Sequence, residues 1–224
     1  MKSTLVVAVT LGATLSLTLV AQPRYTPPRL AAGAPPGLAP MAIGGGQAIL
    51  ELSIDASGSV EKVRTLRSTP PFTQMLLDTV DRWSFAPATD HPIGRDDMPD
   101  SLRNVPSKVI VAAVYRAPAL QGPTPGERPV DVAPPSADVA FPSVMPEPAF
   151  PANAQFGGVV MIEARVSASG VITVARVIRS AGPFDRAALS AVRQWRFRAP
   201  RIGGASESNA YLIFGFPQPV TSKQ

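Results

Sequence analysis

The chain has 224 residues, with 26 prolines, one histidine, no cysteine and a formal net charge of +5. The lack of cysteine excludes disulfides, thiol nucleophiles and zinc–thiolate sites, and leaves the redox compartment open. The charge is uneven: residues 141–224 hold nine Lys/Arg against four Asp/Glu (9 − 4 = +5), and residues 42–118 hold eight against nine (8 − 9 = −1).

Met1-Lys2 precedes an apolar run from Leu5 to Ala21, broken by Thr10, Gly12, Thr14, Ser16 and Thr18. Residues 1–21 fit a secretory signal peptide or a short membrane anchor, and either exports the rest. An exported chain does not meet nucleic acid, so the basic second half is a solvated surface or faces an acidic partner or anionic membrane. Residues 22–41, rich in proline, glycine and alanine, read as an extended tether spanning roughly 60 Å in polyproline form. Ala48, Leu50, Leu52 and Ile54 alternate as a first strand of residues 42–118, and Val60–Leu66 returns as a second. Phe72, Leu76, Val80 and Trp83 share a helical face. Lys108–Arg116 is the last strand of this part. Residues 119–139, with Pro123, Pro125, Pro129, Pro134 and Pro135, form a linker.

Residues 140–220 repeat the pattern. Val160, Ile162, Ala164 and Val166 alternate, Gly170 serves a tight turn, and Val171–Ile178 is a β-branched return. Pro183 suits a helix start, Phe184, Ala188, Val192 and Trp195 share a face, and Arg196 and Arg198 suit the helix's negative end. Asn209–Phe216 is a final apolar strand. At an offset of 112 (157 − 45), 15 of 43 positions in 45–87 recur without a gap, including Gly58/Gly170, Arg64/Arg176, Arg67/Arg179 and Trp83/Trp195. We therefore expect an α+β chain of two tandem small domains, each β-β-α-β with a three-stranded antiparallel sheet packed on one helix.

The second copy resembles the C-terminal domain of the TonB family. The residues that carry the resemblance are Phe150-Pro151-Ala152-Asn153-Ala154, Gly158-Val159-Val160, Ser169-Gly170, Ser180-Ala181-Gly182, Phe184-Asp185-Arg186-Ala187-Ala188, and Trp195-Arg196-Phe197 with Pro200. The resemblance implies a periplasmic protein that contacts outer-membrane TonB-dependent transporters and transduces inner-membrane energy. It also implies an ExbB–ExbD-type motor, which in the family works through a histidine in the membrane helix; residues 5–21 hold none. The alternative is a non-energised periplasmic module that binds protein tails or the cell wall.

Candidate sites are few. His91 with Asp96, Asp97 and Asp100 has metal-ligand chemistry, but Pro92, Gly94 and Pro99 make the segment a solvated surface loop. No nucleophile–base set, phosphate loop or cofactor motif occurs, so no catalytic, metal or cofactor residue is assigned and no enzyme is expected. Trp83 and Trp195 read as core. Asn209–Phe216 lacks charge and ends its domain, so it reads as an unprotected sheet edge. The resemblance implies that this edge receives an extended transporter segment, at Tyr211, Ile213 and Gly215.

Overall fold

A computed structural model describes residues 25–39, 44–90, 102–117, 128–154, 156–200 and 207–218. Its strands, in chain order, are β1 (Tyr25–Thr26), β2 (Arg29–Ala32), β3 (Gly46–Ile54), β4 (Val60–Ser68), β5 (Ser84–Ala86), β6 (Ala88–Asp90), β7 (Arg103–Val105), β8 (Ser107–Tyr115), β9 (Val130–Asp131), β10 (Phe141–Val144), β11 (Gly158–Ser167), β12 (Ile172–Arg179), β13 (Arg196–Arg198) and β14 (Glu207–Phe216). Helix α1 (Phe72–Val80) follows β4, and α2 (Phe184–Val192) follows β12.

The hairpins form where alternation and glycine require them. Gly58 and Gly170 have φ of +91° and +81°, the left-handed region that glycine enters without penalty. A Cβ at Gly58 would run into the carbonyl of Phe85, and one at Gly170 into that of Phe197. Each helix starts just after a proline, Pro71 or Pro183. Asp185 accepts the Ala181 N–H at 2.9 Å, and the Arg196 guanidinium donates to the carbonyls of Arg193 and Trp195 beyond the end of α2.

The class is α+β, as expected, but two separate three-stranded sheets do not form. One seven-stranded sheet runs in the order β12-β11-β14-β8-β3-β4-β9. Its two halves join where β14 pairs parallel with β8, Ala210 opposite Ile110 through Gly215 opposite Tyr115. All other neighbours in this sheet are antiparallel.

Successive side chains of β8 and β14 point to opposite faces, and both faces are covered. Ile110, Ala112, Val114, Leu212 and Phe214 pack with Phe184, Ala188, Val192 and Trp195 of the second half. Val109, Val111, Ala113, Tyr211 and Ile213 pack with Phe72, Leu76, Val80 and Trp83 of the first. The helices therefore lie on opposite faces, and each core draws strand residues from both halves. This explains the long apolar runs of β8 and β14, which are typical of strands buried on both sides.

Residues 25–39 are not an extended tether. They lie across the face that α1 covers: β1 pairs with β6, β2 pairs with β5, and Leu30 and Leu38 pack on the core. On the other face, β10 pairs with β13. These two short pairs correspond at the offset of 112: Leu30 opposite Phe85 and Pro142 opposite Phe197, each with a register break one residue on. The indole N–H of Trp83 donates to Ala34 and that of Trp195 to Pro146, again at that offset. Both tryptophans are buried in the cores, as read from their spacing.

Candidate partner-binding edge

Tyr211, Ile213 and Gly215 lie in the interior of the sheet. β14 is flanked by β11 along its whole length on one side and by β8 on the other, so the free edge expected at Asn209–Phe216 does not exist. Tyr211 is fully buried, edge-on to Trp83 and Phe85 with ring centroids 6.0 and 5.7 Å away. Its hydroxyl accepts the Leu30 N–H at 2.7 Å and lies 3.4 Å from a carboxylate oxygen of Glu163. Burial, and then the Glu163 charge, push the phenol well above its usual range, so it stays protonated. Ile213 is buried in the core under α1. Gly215 lies against the ring of Tyr115, where a Cβ would collide with it. Asn209–Phe216 is uncharged because it runs through the middle of the sheet, although the same composition reads in sequence as an unguarded edge.

The outer strands of the sheet are elsewhere, and the two ends differ. At the first-half end, β9 pairs with β4, Asp131 opposite Arg67 and Val130 opposite Ser68. Arg67 Nε donates to the Asp131 carboxylate at 2.7 Å, and the Val132 N–H donates to the Leu66 carbonyl at 2.8 Å. The chain then passes over Glu51, which is 1% exposed. Glu51 accepts from Arg64 at 2.8 Å and from the backbone N–H and hydroxyl of Ser136 at 2.8 and 2.7 Å. A carboxylate this buried needs such a set of donors.

At the second-half end, β12 has β11 on one side and no strand on the other among the described residues. Between β12 and α2 runs a groove of about 600 Å³ lined by Ile172, Val174, Leu189, Val192, Trp195 and Arg196. Val171 and Val174 are at least half exposed beside it. Arg176 pairs with Glu163 at 2.7 Å and Arg165 with Glu207 at 3.5 Å. Arg179, Arg193 and Arg196 have no carboxylate partner among the described residues; Arg179 donates instead to the carbonyls of Ile178 and Gly33. The basic second half thus concentrates cationic groups beside an open edge.

The sequence reading missed β9, the Arg67–Asp131 pair and the packing of residues 25–39. All three depend on short apolar segments, which only a partner far along the chain defines. His91, Asp96, Asp97 and Asp100 lie outside the described residues. Among the described residues no group of three metal-ligating side chains occurs, and no helix is long and apolar enough to cross a membrane.

This geometry can be set beside a known family. Residues 146–216, which include β11, β12, α2, β13 and β14, match the family model for the Gram-negative bacterial TonB protein C-terminal. The second half of the chain therefore carries a TonB C-terminal domain. A search of curated proteins found none that matches the sequence.

Proposed function

We propose that this is an exported, periplasmic, TonB-like protein that contacts outer-membrane transporters through extended segments and performs no catalysis. The observation that carries this reading is the family match over residues 146–216. Strand addition is the mode that suits an open sheet edge: backbone hydrogen bonds supply affinity and neighbouring side chains supply selectivity. Binding at Tyr211, Ile213 and Gly215 requires β8 to be displaced from β14. We further take the two halves as copies of one unit. The ungapped identities, the matching β2–β5 and β10–β13 registers and the matching indole hydrogen bonds support this.

A second reading, a non-energised interaction module, is favoured by the packing of residues 25–39. That segment is anchored by Leu30 and by the carbonyl of Ala34 rather than spanning the periplasm. The absence of histidine from residues 5–21 points the same way for an ExbB–ExbD-type motor.

A photo-cross-linking residue at Thr173, on the outer strand, tests the contact in cells. Adducts with outer-membrane transporters are expected; their absence, with adducts only to other proteins, rejects the transporter reading. N-terminal sequencing of the exported protein separates the two modes. A cleaved chain cannot transmit force from the inner membrane, and an intact one supports the energised reading.

A further inference from the structure

The geometry points to the outer edge of β12 as a binding site for an extended apolar–acidic segment of another protein, with a carboxylate of that segment on Arg179. This rests on the reading that the second half binds extended partner segments, and it gives that partner a location and a chemistry.

The first half supplies the template. Its outer strand β4 is closed by residues 130–133, Val-Asp-Val-Ala, which run antiparallel to it. Three interactions hold that segment: the ladder, the Val132 N–H on the Leu66 carbonyl, and the Asp131 carboxylate on Arg67. At the offset of 112, Leu66 corresponds to Ile178, Arg67 to Arg179 and Ser68 to Ser180. In the second half these positions have the same chemistry and, among the described residues, no covering segment. The Ile178 carbonyl, where Leu66 accepts a backbone N–H, takes only the Arg179 guanidinium among the described residues, at 2.9 Å. Arg179 is exposed and has no carboxylate partner there.

Charge selects the occupant. Among the described residues Arg179, at the end of the strand, and Arg193 and Arg196, which line the groove, have no acidic partner, and Val171 and Val174 offer apolar contact. A basic segment is repelled, and an uncharged one gives Arg179, now held only by the Ile178 and Gly33 carbonyls among the described residues, no carboxylate. A second copy of this chain, presenting its own β12, would add the two arginines of that strand to the cationic edge and bring no acid to Arg179. A segment alternating valine-like and aspartate-like residues satisfies both the edge and the charge.

The test uses the full-length, isotope-labelled chain and a synthetic octapeptide copying residues 128–135, Arg-Pro-Val-Asp-Val-Ala-Pro-Pro. The β4 edge already holds its own segment, so saturable NMR shifts are expected on the amides of residues 172–179. N-methylation of the peptide at the position of Val132 removes the ladder donor and should abolish the shifts. Replacing the peptide aspartate by asparagine should weaken binding about two- to fivefold, the size of an exposed ion pair. The charge-swapped pair, Arg179→Glu with a lysine in place of the peptide aspartate, should restore binding, which a merely structural arginine does not do.

Shifts confined to β4 and β9, or none, overturn the inference. So does concentration-dependent self-association through the same amides, which makes a second copy the occupant. Segments from the periplasmic plugs of outer-membrane transporters form the second arm. If the octapeptide shifts β12 and these segments bind nowhere, the edge stands and the transporter reading fails. If they shift β8 and β14 instead, the transporter reading stands and the edge inference fails.

Discussion

Leu66 and Ile178 occupy corresponding places in the two halves, yet Leu66 is 1% exposed and Ile178 only partly buried. The difference comes from residues 130–136, which lie over β4 and bring Asp131 to Arg67 and Ser136 to Glu51. Glu163, the counterpart of Glu51, has Arg176, the Tyr211 hydroxyl and the more distant Arg29 around it, and no backbone donor among the described residues. An outer strand that is covered can bury a carboxylate with a full set of partners. An outer strand that is open keeps its cations available. The same hairpin thus serves closure in one half and, in our reading, recognition in the other.

The largest expected effects come from the tryptophans. Trp83→Ala and Trp195→Ala should each cost about 3–5 kcal/mol, the usual loss for a deleted core aromatic. Because each core contains strand residues of both halves, either variant should lower a single common unfolding transition. Calorimetry that resolves two transitions, only one of them shifted, would show that the halves unfold independently and break the comparison at its base.

Glu51→Ala should cost about 1.5–3 kcal/mol by chemical denaturation, because it removes the carboxylate that pairs with Arg64 and the acceptor of two donors of Ser136. Glu163→Ala should cost less, about 1 kcal/mol, since its main partner Arg176 is half exposed. Equal losses would mean that the covering segment contributes nothing to the first half.

The smallest effect concerns the hairpin turns. Asp55 Oδ1 accepts the Ser57 hydroxyl at 2.6 Å and the N–H groups of Ser57 and Ser59 at 2.8 and 2.9 Å; the second half has Ser167 at that place. The Ser57 hydroxyl first, then the backbone N–H of Ser59, hold the carboxyl below its usual 3.8. A depressed folded value means the turn is stabilised above the ordinary carboxylate range, and that this contribution is lost as pH falls through the folded value. An NMR titration should place the Asp55 midpoint below 3.8. The first turn should loosen in acid while the Ser167 turn does not; identical behaviour of the two turns would remove the distinction.

Much of each half was legible in local patterns. Alternation marked β3 and β11, glycine marked both hairpin turns, and the spacing of Phe72, Leu76, Val80 and Trp83 marked the core face of α1. The seam was not legible as an edge or its absence, because Ala210 and Ile110 are far apart in sequence and their pairing leaves no local trace. One signal did exist. Val109–Tyr115 and Ala210–Phe216 are apolar on both parities, the mark of a strand covered on both faces. Reading Asn209–Phe216 as an unguarded edge rests on its lack of charge and overlooks its lack of alternation. The packing of residues 25–39 was hidden for a different reason: proline-rich composition argues for extension, and Leu30 and the Ala34 carbonyl acquire their role only from Trp83 and Tyr211.

The parallel seam also sets the terms of competition for any ligand of β14. Its occupant, β8, belongs to the same polypeptide, so the pairing is first order and dilution does not weaken it. A tethered rival behaves as though present at an effective concentration on the millimolar scale. A free segment seeking Tyr211, Ile213 and Gly215 must outbid that local excess before it gains a single hydrogen bond. At β12 the described chain supplies no such rival, so an arriving segment is limited there only by its own abundance and affinity.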